Sequence, residues 1–134
     1  MISLPFKGPV IGIGVDIVDI ARIREIYERQ GERFIARVFT EKEQEYCLRM
    51  KFPHKHLAAR FAAKEAVSKA FSTGIGDFLN WTSISVVSGS RGEPSIVLDE
   101  KGEQLLESVG GAAVAISLSH TEDTAIAFAT IVGK

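Results

Sequence analysis

LAARFAAKEAVSKAF, residues 57–71, is the stretch from which the rest of the chain can be read. Leu57, Phe61, Val67 and Phe71 supply apolar contacts at helical spacing, and Gly74 and Gly76 follow as terminators. The spacing predicts one long helix from about 54 to 72. Arg60, Lys64, Glu65 and Lys69 sit among alanines at 62, 63, 66 and 70. Glu65 and Lys69 are four residues apart, so both point to the same side of the helix. A carboxylate and an ammonium so placed can hold a metal ion and a phosphate side by side. The plain alternative is a surface ion pair, which contributes little. It would account for one pair, but not for four charges within ten residues of a glycine-bounded helix.

Upstream, residues 10–15 read as a short buried strand, and Asp16 follows it. A helix is expected from about 17, with Ile17, Ile20, Ile23 and Tyr27 near helical spacing and Gly31 bending or ending it. An aspartate in this place serves either as an N-cap or as a ligand, and the two roles are compatible. Taken with Glu65, the metal reading is favoured, because Mg²⁺ takes one or two protein carboxylates and completes its shell with water and phosphate. Thr40 with Glu43 fits a capping box, opening a helix that Pro53 ends.

Downstream the pattern changes. Residues 82–88 alternate as a strand, SRGEP at 90–94 is a turn, and SIVLD returns as a second strand. EKGEQLLESVG is a short helix stopping at Gly110. AAVAISLSH and TAIAFATIV form two long apolar strands around a turn at Glu122–Asp123. Helices in the first half and strands in the second make an α+β fold, not an alternating parallel sheet. The final strands are nearly continuous in Val, Ile, Ala and Phe, so both of their faces should be covered, by helices or by another subunit.

The bulk properties bound the function. At 134 residues, 46% of them hydrophobic, the chain makes one domain with a real core. We place it at residues 10–134, with residues 1–9 as an N-terminal extension. A net charge of −1 argues against a nucleic-acid or membrane surface. Cys47 is the single cysteine, so no internal disulfide forms, and a buried inert thiol is its expected role. His and Cys lack metal-site spacing. The N-terminal residues hold no apolar run long enough for a signal or a membrane span, which fits a cytoplasmic protein.

Four motifs, taken together, carry a resemblance. IGIGVDIVDIARI at 11–23, RFAAKEAVSKAF at 60–71, TGIG at 73–76 and SLSHT at 117–121 resemble the motifs of the holo-acyl-carrier-protein synthase family of phosphopantetheinyl transferases. They occur in the family's order, over about residues 10–132; MISLPFKG, the first eight residues, has no family counterpart. The resemblance implies a homotrimer and a Mg²⁺-dependent transfer of phosphopantetheine from coenzyme A to a serine of acyl carrier protein, in support of fatty acid biosynthesis. It implies Asp16 and Glu65 as metal ligands, with Glu65 and Lys69 catalytic. Arg60, Lys64, Gly74 and His120 are implied to contact coenzyme A, with the Arg91–Pro94 turn near its adenine end.

The residues alone leave several of these roles open. His120 is equally a satisfied core histidine, and Gly74 is first a helix C-cap. Arg22, Arg29 and Arg33 stand at offsets of seven and eleven from Arg22, sharing a face with Ile26 between them. With Glu25, Glu28 and Glu32 nearby, that face reads as a mixed-sign solvated helix. The resemblance turns it into a docking face for an acidic carrier protein. Two other functions use the same residues: a Mg²⁺-dependent nucleotide or pyrophosphate hydrolase, and a non-catalytic binding module.

Overall fold

The computed structural model describes residue 4 and residues 6–134. The chain runs β1 (Val10–Asp19), α1 (Ile20–Gln30), α2 (Glu32–Val38), α3 (Glu41–Leu48), α4 (Pro53–Ala70) and a 3₁₀ turn at Trp81–Ser83. There follow β2 (Ile84–Ser88), β3 (Pro94–Leu98), α5 (Glu100–Ser108), β4 (Gly111–His120) and β5 (Thr124–Gly133). This is the expected α+β arrangement. Two antiparallel sheets form: a three-stranded one in the order β1-β5-β4, and the β2-β3 hairpin. Of the extension, residues 1–3 and 5 lie outside the described residues. Pro9 accepts a backbone bond from Gly133 at 2.7 Å, which ties the start of the chain to the end of β5.

The strand register determines what the large sheet presents on each face. Gly12, Gly14, Asp16 and Val18 of β1 oppose Ile131, Ala129, Ala127 and Ala125 of β5, and these oppose Val114, Ile116, Leu118 and His120 of β4. Residues directly opposite share a face. That face packs on α4, whose Ala59, Ala62, Ala63, Ala66 and Ala70 are buried. Small residues on both sides allow close approach. A Cβ on Gly14 would stand 2.0 Å from the Ala66 carbonyl oxygen, and one on Gly12 would stand 2.4 Å from that of Ala70. The other face carries Ile13, Val15, Ile17, Ile126 and Phe128, all exposed. Within one chain, therefore, only one face of the apolar strands is covered.

Three boundaries differ from the sequence reading. β1 continues to Asp19, because its pairing with β5 persists to Asp19–Thr124. Asp16 is therefore inside a strand and caps no helix; the N-cap of α1 is Asp19, whose side chain makes no cap bond. The Thr40–Glu43 capping box is present, but α3 ends at Leu48, and Pro53 opens α4 at its first turn instead of closing α3. α4 stops at Ala70 through Ser72, whose φ is 62°, rather than through a glycine; the amides of Thr73 and Gly74 both reach the Ser68 carbonyl at 3.2 Å.

Candidate active site

Asp16 is placed by the alternation of β1. Val15 and Ile17 point outward, so Asp16 points towards α4, where Lys69 meets it. Lys69 Nζ donates to Asp16 Oδ1 at 3.1 Å and to the Val15 carbonyl at 3.0 Å. Lys69 is half-exposed, so this pair adds under about 1 kcal/mol to stability. An ammonium has three donors, and the third remains free for a ligand.

Glu65 lies one turn earlier on α4. Burial holds its carboxyl above the usual glutamate range, and the negative charge of Asp16 pushes it further in the same direction; Lys69 and Arg22 oppose both. Two carboxylates that repel each other are a place where a cation lowers the energy. Among the described residues no group of three or more His, Cys, Asp or Glu converges. An ion held by Asp16 and Glu65 would thus take its remaining ligands from water and substrate, which is the habit of Mg²⁺. The donor set fits that group.

The two α4 cations expected to contact coenzyme A have different fates. Lys64 is fully buried and makes an ion pair with Glu43 Oε1 at 2.6 Å. It also donates to the carbonyls of Trp81 at 2.9 Å and Ile84 at 2.5 Å. Its donors are spent inside the protein, so the expected coenzyme A contact by Lys64 is corrected: it is an internal strut. Arg60 is also buried, yet not spent. Its guanidinium lies 4.3 Å from the centre of the Tyr46 ring, Nη1 donates to the His56 carbonyl at 3.4 Å, and Nε has no partner. An unpartnered buried donor is costly unless a ligand meets it. Arg60 lines a cleft of about 470 Å³ with Lys42, Tyr46, Arg49, Val86 and Ser88, bordered by Gly89 and Gly92 of the β2-β3 turn. Three cations around one cleft suit an anionic ligand.

His120 ends β4 on the α4 side of the sheet and is exposed; its Nδ1 is 3.4 Å from the Thr121 carbonyl oxygen. It belongs to a cationic cluster that sequence reasoning missed. The imidazole of His56 is held below its usual pKa by burial, then by the charges of Arg60, His120 and Lys55. His56 sits four residues before Arg60 on α4, and that spacing was the available signal. Gly74 has a φ of 67°, and a Cβ there would meet nothing within 4 Å, so the backbone past α4 is open. Cys47 is buried and its thiol is pushed up to about 11, chiefly by burial, which makes it inert.

The arginine face is altered by Gly31, whose φ of 58° separates α1 from α2. Arg22 and Arg29 lie on α1 and Arg33 on α2, so they do not share one helix face. All are exposed, while Ile26 is half-buried against the core. Arg22 comes near enough to Glu65 to lower its pKa, which puts this helix beside the acids.

The family model for the 4′-phosphopantetheinyl transferase superfamily matches residues 12–129. A holo-[acyl-carrier-protein] synthase of Chlamydia trachomatis is 46% identical over 120 residues, 90% of this chain and 98% of that protein. Among solved structures, holo-[acyl-carrier-protein] synthase from Neisseria meningitidis superposes with a TM-score of 0.87 at 34% identity, covering 92% of this chain and 98% of that one. The Helicobacter pylori enzyme of that name, solved in complex with coenzyme A, gives a TM-score of 0.80 at 31% identity, covering 89% of this chain and 98% of that one.

Proposed function

The chain belongs to the 4′-phosphopantetheinyl transferase superfamily, among the holo-[acyl-carrier-protein] synthases, and we propose that it moves the phosphopantetheine arm of coenzyme A onto a serine of apo-acyl carrier protein. The products are holo-carrier and 3′,5′-ADP. The observation that carries this reading is the pairing of Asp16 with Glu65 across the β1–α4 contact, with Lys69 bonded to Asp16.

Asp16 and Glu65 are the residues that would hold Mg²⁺. The ion, when bound, neutralises charge on the donor's pyrophosphate and orients the phosphorus. Everything else falls to the chain itself. The carrier serine oxygen forms a bond to the β-phosphorus of coenzyme A, and the bond from that phosphorus to the 3′,5′-ADP oxygen breaks. The serine proton passes to Glu65, directly or through a water that Glu65 orients. The free donor of Lys69 bonds the departing phosphate oxygen. Arg60, with Lys42 and Arg49, takes the phosphates at the nucleotide end, and the turn at Gly89–Gly92 borders the same cleft. His120 and the open backbone at Gly74 complete the contacts to the donor.

The uncovered apolar face of the large sheet supports self-association, and the family resemblance makes the assembly a trimer with sites between neighbours. Arg22 and Arg29 receive the acidic carrier. No helix of the described residues is long and apolar enough to cross a membrane; the setting we propose is the cytoplasm, in service of fatty acid biosynthesis. Incubation with coenzyme A, Mg²⁺ and an apo-carrier, followed by weighing the carrier, tests the reading. The expected result is a gain of one phosphopantetheine arm with release of 3′,5′-ADP. Breakdown of coenzyme A without carrier gain would make the protein a hydrolase, and no reaction at all would make it a binding module.

A further inference from the structure

Lys64 and Glu43 stand outside the chemistry just described, yet they are the most heavily bonded charged pair in the described residues. A buried ion pair is a poor source of stability, since desolvation offsets most of the attraction. What this pair does is geometric. The three donors of Lys64, on α4, go to three places: Glu43 on α3, the Trp81 carbonyl on the 3₁₀ turn, and the Ile84 carbonyl on β2. Glu43 in turn accepts the Thr40 amide on Oε1 at 2.9 Å and the Val86 amide on Oε2 at 2.9 Å. α3, α4 and β2 are the walls of the cationic cleft: Tyr46 on the first, Arg60 on the second, Val86 and Ser88 on the third. Two apolar residues would fill the same space, but they would not fix where the edge of β2 stands against α3.

We propose that the Lys64–Glu43 pair is a positioning device that sets the spacing of this cleft and hence the affinity for the phosphate-bearing donor. This rests on the transferase reading above. Lys64 and Glu43 touch no substrate. They hold Tyr46, Arg60 and β2 in one arrangement around the cleft.

The test uses Lys64→Met with Glu43→Gln in the full chain. The double variant leaves no buried charge, and the amide that replaces the Glu43 carboxylate keeps one acceptor oxygen for the Thr40 and Val86 amides, so β2 loses its fixed place against α3. Wild-type protein is assayed first: if it neither binds coenzyme A nor modifies a carrier, the transferase reading has failed, and not this one. In the variant, KM and calorimetric Kd for coenzyme A should rise roughly tenfold or more, the scale on which outer-shell supports act. The kcat at saturating coenzyme A should stay within about twofold, with carrier KM unchanged. A purely structural role would lower the melting temperature and leave coenzyme A KM untouched in the folded protein, and that result overturns the proposal. A fall in kcat at constant KM also overturns it, by placing the pair at the chemistry. Should the variant not fold, amide exchange in the wild type decides: the Val86 amide should gain protection when 3′,5′-ADP binds, and equal exchange with and without it refutes the idea.

Discussion

Replacing Gly14 by alanine should disable the active site without touching any of its functional groups. Gly14 faces α4 from β1, and an added Cβ would lie 2.0 Å from the Ala66 carbonyl oxygen and 2.7 Å from the Ala70 nitrogen. Both obstacles are backbone, so no change of rotamer relieves them. Reaching ordinary contact requires strand and helix to part by roughly 1 Å or more. Asp16 is two residues further along the same face, and Glu65 and Lys69 flank Ala66 on the helix. The parting therefore lengthens the Asp16–Lys69 contact, now 3.1 Å, and widens the gap between the two carboxylates. A misplacement of this size costs on the order of 10²-fold in rate, while overpacking of this kind costs about 1–3 kcal/mol in stability. Transfer measured by carrier mass, beside a thermal melt, separates the two effects. Ala66→Gly added to the variant should not rescue it, because the clash is with the carbonyl and not the methyl group. A Gly14→Ala protein with near wild-type rate at near wild-type stability would refute the claim that this contact sets the site.

Other outcomes follow from the same geometry. Asp16→Ala should abolish transfer at limiting Mg²⁺ and regain part of it in excess metal, whereas Glu65→Ala, which also removes the proton acceptor, should stay inactive; full activity of either at limiting metal sinks the ligand assignment. Because Glu65 holds its proton more tightly in the folded protein than in the unfolded chain, metal-free stability should fall as pH rises from the ordinary glutamate range through the raised native value. Asp16→Asn should flatten that fall in a melting-temperature series, and an unchanged slope would show that Asp16 does not act on Glu65. Arg22→Glu should raise carrier KM by about fivefold, the effect of about 1 kcal/mol at a wet contact, with coenzyme A KM far less affected. High salt should weaken the wild type more than the variant, and equal salt sensitivity returns α1 to a solvated face. Phe128→Asp on the uncovered sheet face should turn a trimer into single chains by light scattering, since an unpaired carboxylate in an apolar contact is costly; a wild type that is already a monomer removes the shared sites.

Much of the fold was legible where one local signal was strong. The α4 helix, the Thr40–Glu43 capping box and the β4-β5 hairpin each announce themselves within one continuous stretch of sequence. The end of β1 did not. After Val15, the run DIVDI satisfies both a strand alternation and the start of a helical pattern through Ile17, Ile20 and Ile23. The choice was made by β5, more than 100 residues away, which keeps pairing as far as Asp19. The same non-locality hid Lys64. Its partner Glu43 already had a local job in the capping box, and nothing in the sequence says that one carboxylate serves a helix start, a strand edge and a buried ammonium at once.

The adjacent charges Lys64 and Glu65 show why spacing alone could not assign them. Successive side chains on a helix diverge by about 100°, so neighbours in sequence serve different neighbours in space. Lys64 turns towards α3 and β2 and disappears into the scaffold, with no exposed surface; Glu65 turns towards β1 and stands beside Asp16. Sequence pattern treats the pair as equivalent members of one charged cluster. Burial separates them, because an ammonium without water must spend its donors on protein acceptors, whereas a carboxylate beside a second carboxylate is left needing a cation. Along α4 the same division recurs with Arg60, which is buried but keeps Nε unspent. A buried cation with all donors occupied reads as structure, and one that lines a cleft beside Lys42 and Arg49 reads as a site.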